Sequence, residues 1–143
     1  MRYIFFLLPI LITSSVTAAQ ENSPLDVYGV WLTEKQNSKI EIADCGNNTP
    51  CGKIIWVDDP APETLRDTNN KDENLREQPI LGLTILKGFT AKKGQWKKGK
   101  IYDPESGKTY GAKLRRLPDG VLQVKGCIGP ICQTQLWTLA EPL

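Results

Sequence analysis

Beyond residue 19 the chain shows no sustained helical period; it is a succession of short apolar–polar alternations, each bounded by glycine, proline, asparagine or aspartate. A period of two places alternate side chains on opposite faces of an extended strand, so such runs bury their apolar residues as a sheet and not as helices. Strands are expected over 28–33, 39–43, 51–57, 81–87, 95–102, 108–116, 120–127 and 132–139. Faces follow from the alternation: Ile40 and Ile42 share one, as do Tyr110, Ala112 and Leu114, while Leu122 and Val124 oppose Gln123 and Lys125. The segments 103–108 and 118–120 carry proline early and glycine late, the chemistry of hairpin connections. Eight strands joined mostly by tight turns suit an all-β, closed, antiparallel up-and-down barrel, which leaves no sheet edge exposed; a two-sheet sandwich is the alternative.

The first 19 residues differ in kind. Arg2 precedes an apolar stretch over 3–12, and small residues end the segment at Thr17, Ala18 and Ala19, the pattern of a cleaved secretory signal peptide. The apolar stretch turns polar at Thr13, short of the ~20 residues a membrane span requires. Loss of residues 1–19 leaves 20–143, the size of one domain with a single core, bearing 17 basic against 16 acidic residues. So even a balance predicts no broad attraction to nucleic acid or anionic lipid.

Export delivers Cys45, Cys51, Cys127 and Cys132 to an oxidising compartment, where disulfides are the default. Of the three pairings open to four cysteines, Cys45 with Cys51 and Cys127 with Cys132 each close a short turn, contributing roughly 2 kcal/mol apiece by chain entropy. A zinc site prefers two to four residues between paired ligands, and five separate the first pair. The CIGPIC segment at 127–132 has four residues between its cysteines, too many for a redox Cys-x-x-Cys.

The chain contains no histidine, which removes Ser-His-Asp and Cys-His catalysis and the usual histidine-bearing metal sites. The stretch 58–79 interrupts the strand series with Asp, Glu, Asn and Pro, and reads as an extended loop with a short helical turn, a lid or partner-contact surface. Asp58, Asp59, Glu63, Asp67, Asp72 and Glu73 crowd it, interleaved with Arg66, Lys71 and Arg76, as in a solvated face; a catalytic carboxylate pair such as Asp72 and Glu73 ranks last among the functional readings. Asp67, Asn69 and Asp72 offer oxygen ligands, but the glycine that a calcium loop needs at its sixth position is Asp72 here. No metal and no cofactor is expected. Lys87, Lys92, Lys93, Lys97, Lys98 and Lys100 form a basic cluster around Phe89 and Trp96, which reads as a lysine-protected edge or turn, with an anionic glycan or lipid headgroup a more sensible partner than nucleic acid.

Four tryptophans are many for so small a domain. Trp31 and Trp137 read as core fillers; Trp56, Tyr102 and Tyr110 fit core or pocket lining equally, and Arg76 joins them as a candidate ligand contact from the long loop.

Gly29-Val30-Trp31 at the head of the first strand resembles the Gly-x-Trp signature of lipocalins and related calycin barrels. Further segments resemble an uncharacterised family of bacterial secreted proteins, the DUF2147 domain of unknown function: Cys51-Gly52-Lys53-Ile54, Asn70 to Asp72 with Arg76, Pro79 to Leu83, Ile101-Tyr102-Asp103-Pro104, Gly107-Lys108-Thr109-Tyr110, Gly126-Cys127, and Cys132 to Gln135 with Trp137. The resemblance implies a lipocalin-like barrel and leaves the activity open. Lipocalin-type barrels usually close with an arginine over the first-strand tryptophan; Thr138 and Leu139 follow Trp137 here, a departure that leaves the closing contact open, with Arg115 or Arg116 as candidates from elsewhere in the chain. The functional expectation is a periplasmic or secreted, non-enzymatic protein that holds a small apolar or amphipathic ligand at the barrel mouth. The alternative is an envelope protein-interaction module or enzyme inhibitor acting through its loops.

Overall fold

The computed structural model describes residues 22–143; the expected signal peptide lies outside them. Nine strands follow in order: β1 (Gly29–Leu32), β2 (Ser38–Asp44), β3 (Pro50–Val57), β4 (Thr84–Lys87), β5 (Thr90–Lys92), β6 (Gln95–Asp103), β7 (Lys108–Arg116), β8 (Leu122–Ile128) and β9 (Ile131–Leu139). Apart from β4 and β5, consecutive strands are antiparallel neighbours; β1 also pairs with β9 and β4 with β6, so the sheet closes on itself as an eight-stranded barrel.

The ninth strand, β5, is the one the alternation did not reveal. β4 and β5 form a single barrel stave kinked at Gly88 and Phe89, with Leu86 opposite Ile101 and Thr90 opposite Lys97 along β6. β6 bulges at the same level, its register shifting between Trp96 and Gly99. The Phe89 ring lies against Gly99, where any Cβ would overlap it, so the ring enters the barrel only because that residue is glycine. Two strand starts also move. Residues 81–83 belong to a turn in which Leu83 N–H donates to the Ile80 carbonyl, and Gly120 belongs to the β7–β8 turn, donating to Leu117.

One end of the barrel is filled. The N-terminal segment crosses it, held by Trp96 Nε1–H to the Leu25 carbonyl at 2.9 Å and by Arg116 N–H to the Pro24 carbonyl at 2.8 Å. Trp31, Trp137, Leu114 and Leu122 pack beneath this segment, all fully or almost fully buried. Trp31 donates its Nε1–H to the Val27 carbonyl at 2.9 Å. Arg116 lies 5.4 Å from the Trp31 ring centroid and reaches Asp26 Oδ2 at 3.2 Å. The arginine over the first-strand tryptophan is therefore present, supplied by the end of β7 and not by the chain after Trp137.

Both short-range disulfides are formed. Cys45–Cys51 closes the β2–β3 connection at the filled end. Cys127–Cys132 links directly opposed residues of β8 and β9 beside the turn at the other end.

Candidate functional site

The opposite end of the barrel is hollow. A cavity of about 760 Å³ opens there, with an apolar wall that includes Ile40, Ile54, Ile85, Ile101 and Val124. Alternation explains Ile40, Ile54 and Val124, each of which shares its strand's inward face with a buried residue, whereas Ile85 is the extra residue where the β3–β4 register shifts. The same alternation turns Gln133 and Gln135 toward the cavity beside Trp137, so β9 brings two amides to its lining. Gly126, opposite Gln133 on β8, leaves open space where a side chain would stand.

The wall is incomplete along one seam. β1 has only four residues and meets β9 at Trp31–Leu139 and Leu32–Thr138, so among the described residues no strand pairs with β9 from Ile131 to Gln135 on that side. The Glu34 carboxylate stands in for a strand there, accepting the Leu136 N–H at 3.1 Å.

The segment 58–79 borders the mouth and is tied down. It contains two short 3-10 turns, Pro62–Thr64 and Glu73–Leu75, and a bridge between Arg66 and Pro79. Its anchor is Asp67, which is fully buried and not part of a solvated face. Asp67 accepts the Tyr102 hydroxyl at 2.7 Å, the Gln78 amide at 2.9 Å and the Asn70 amide at 2.7 Å. These three donors take up the carboxylate oxygens, so Asp67 serves as an internal hub and not as a solvent-facing cation ligand. Asn69 extends the attachment by donating to the Glu105 carbonyl at 2.9 Å. Its own carbonyl packs on Gly107, where φ is +69° and a Cβ would collide. Only glycine satisfies both demands at that turn.

Of the four candidate ligand contacts, Tyr102 and Tyr110 line the cavity. Trp56 does not: the bulge between Lys39 and Ile40 pairs it with Lys39 on the outer face, with the ammonium 5.7 Å from its ring centroid. Arg76 also lies away from the cavity, donating to the Asn70 carbonyl at 2.8 Å and standing 3.7 Å from Glu73. Arg66 and Lys35 supply the cationic groups of the lining instead. Gln133 and Gln135 were legible as inward-facing from their period-two spacing to Trp137; Asp67 carried no such signal, since nothing local distinguishes it from its acidic neighbours.

Burial, and then the hydrogen bond to Asp67, push the Tyr102 hydroxyl well above the ordinary phenol value of 10.0. Tyr28 is raised too, by burial and then by Asp44. A phenol that resists ionisation in the fold but ionises normally when unfolded makes stability fall as pH rises above its unfolded value, with the loss complete only above the folded one. Ultraviolet titration at 295 nm is therefore expected to show a late phenol phase above the ordinary range, and Tyr102→Phe to remove it. A titration in which all phenols ionise together near pH 10 refutes the assignment.

A closed eight-stranded antiparallel barrel, packed at one end and hollow at the other with an arginine over the first-strand tryptophan, is a lipocalin-like barrel. The protein HP1028 from Helicobacter pylori, described as belonging to the lipocalin family, superposes with a TM-score of 0.71 at 22% identity, over 82% of this chain and 84% of that one. Residues 29–139 match the family described as an uncharacterized protein conserved in bacteria, DUF2147, and the chain belongs to that family. No curated protein matches it. Among the described residues, no helix is long and apolar enough to cross a membrane.

Proposed function

We propose that this chain is an exported, periplasmic, non-enzymatic binding protein whose barrel holds one small apolar or amphipathic molecule. The observation that carries the reading is the cavity of about 760 Å³, lined by apolar side chains and by polar and charged ones in about equal number, as an amphipathic ligand requires. Cavities of roughly 300–1,000 Å³ accept single small ligands. An apolar chain would lie against Ile40, Ile54 and Ile101, with its polar end toward Gln133, Gln135 and Tyr110. Export is supported by the leader pattern over residues 1–19 and by two disulfides, which persist outside the reducing cytoplasm.

Gly126 provides the test. A Cβ there would meet only Ile101 and Tyr110, at 3.7 and 3.8 Å, so a side chain enters the cavity without displacing backbone. Gly126→Leu is expected to weaken uptake of a fluorescent fatty-acid probe at least tenfold while leaving the melting temperature within a few degrees. Unchanged probe affinity would overturn the reading. Native mass spectrometry of protein purified from its own host would then give the mass of the natural ligand.

A further inference from the structure

The near-neutral total charge conceals a division. Residues 22–79, which supply β1 to β3 and the long loop, carry eleven acidic and six basic side chains; residues 80–143, which supply the remaining strands, carry four acidic and eleven basic ones. The four acids of the second group, Asp103, Glu105, Asp119 and Glu141, all lie at turns or the C-terminus or at a strand end; none is within the wall.

Register gathers the lysines. Lys87 stands directly opposite Lys100, which is opposite Gly111, which is opposite Cys127, and this row crosses the outer wall one residue short of the β8–β9 turn. The next outward-facing row contains Lys113 directly opposite Lys125. Like charges facing each other across strands disfavour the sheet, and no ion pair relieves any of these four lysines among the described residues. Rows on one face are about 7 Å apart and neighbouring strands about 4.8 Å, so Lys125 and Lys113 stand on the tip's own strand and the next one, while Lys100 and Lys87 follow two and three strands around the wall from β8.

The tip is apolar and exposed. Ile128 and Ile131 face each other there with 70% and 75% of their surface in water, joined by Gly129 and Pro130 and clamped by the Cys127–Cys132 disulfide one residue below. Two isoleucines held open to solvent on a cross-linked turn gain nothing for the fold.

We infer that this hairpin tip and the lysine rows behind it form a docking surface for an anionic lipid bilayer, with Ile128 and Ile131 entering the interface and Lys87, Lys100, Lys113 and Lys125 facing lipid phosphates. Shallow apolar insertion and electrostatic attraction to anionic headgroups are the two terms that hold a protein at a membrane surface, and each is weak alone. Charge complementarity selects the anionic bilayer over a neutral one, and the unpartnered isoleucines select a bilayer over a soluble polyanion. Ile128 and Ile131 also line the cavity, so the tip adjoins one side of its mouth.

Vesicle co-sedimentation at 0.1 M salt tests this. The oxidised protein is expected to partition at least tenfold more strongly onto vesicles containing 30% phosphatidylglycerol than onto pure phosphatidylcholine, and to be released by 0.5 M salt. The double variants Ile128→Ser with Ile131→Ser, and Lys113→Glu with Lys125→Glu, are each expected to lose at least tenfold in partitioning with unchanged melting temperature, whereas Lys71→Glu on the long loop retains it. Gly126→Leu, with its cavity filled, is expected to bind vesicles normally, which separates this surface from the ligand site. Absence of binding to anionic vesicles, equal binding to neutral ones, or partitioning indifferent to the isoleucine pair would each overturn the inference.

Discussion

Trp31→Ala is expected to destabilise the barrel by about 4 kcal/mol, in the range for deleting a buried large aromatic side chain. Trp31 is 0% exposed and lies where β1 meets both β2 and β9, opposite Ile40 and Leu139. Three losses coincide in the variant. The cavity cannot collapse, because a closed barrel fixes the separation of its walls; the Val27 carbonyl loses its indole donor; and Arg116 loses the ring it covers. A single domain has only about 5–15 kcal/mol to lose, so the variant sits near the threshold of folding. Chemical denaturation followed by circular dichroism measures the change directly. Arg116→Met, which keeps the aliphatic cover and removes the charge, is expected to cost about 1 kcal/mol. A loss below about 2 kcal/mol for Trp31→Ala would show that the filled end does not hold the barrel together.

Asp67→Ala is expected to cost about 3 kcal/mol and to free the long loop from the barrel. Removing the carboxylate leaves the Tyr102 hydroxyl and the Asn70 and Gln78 amides without their acceptor in a buried site, and each stranded donor costs about 1–3 kcal/mol before rearrangement or water entry recovers part of it. Tyr102→Phe removes one donor and retains the acceptor, so its cost is expected near 1 kcal/mol. The two variants also differ in local opening. Arg66, Lys71 and Arg76 offer trypsin three sites in this loop, and cleavage there is expected to accelerate at least tenfold in Asp67→Ala, read by intact mass. Wild-type cleavage rates in that variant would mean that the Asn69 contacts to the β6–β7 turn suffice to hold the loop.

The consequence for function is that the loop bordering the mouth is fastened through the same tyrosine that lines the cavity. On the proposed binding role, entry need not await a swinging lid, since the seam between β1 and β9 leaves part of the wall unbuilt. Glu34 guards that seam by occupying the Leu136 N–H, and a carboxylate there also deters another strand from adding to the open edge.

Particular residues show how far alternation carries. Ile40 with Ile42, Leu122 with Val124, and Ala112 with Leu114 all face inward as their spacing requires, because a strand's side chains have no choice of period. The strand at 108–116 is recovered to the residue, since hairpin turns bound it on both sides. Where the period breaks, prediction fails with it. The bulge between Lys39 and Ile40 turns Trp56 to the outer face, and the kink at Gly88 and Phe89 divides one stave into β4 and β5.

The chain's local chemistry alone determined an antiparallel all-β domain with two short-range disulfides and, away from the bulges, the inward face of its strands, because period, turn residues and loop closure act over a few neighbours. Closure alone decided that Arg116 covers Trp31, that Asp67 is buried among Tyr102, Asn70 and Gln78, that one end is hollow, and that the lysines align beside an apolar tip. Each of these joins strands or loops distant in sequence, and their meeting depends on register around the whole barrel, which no local pattern encodes.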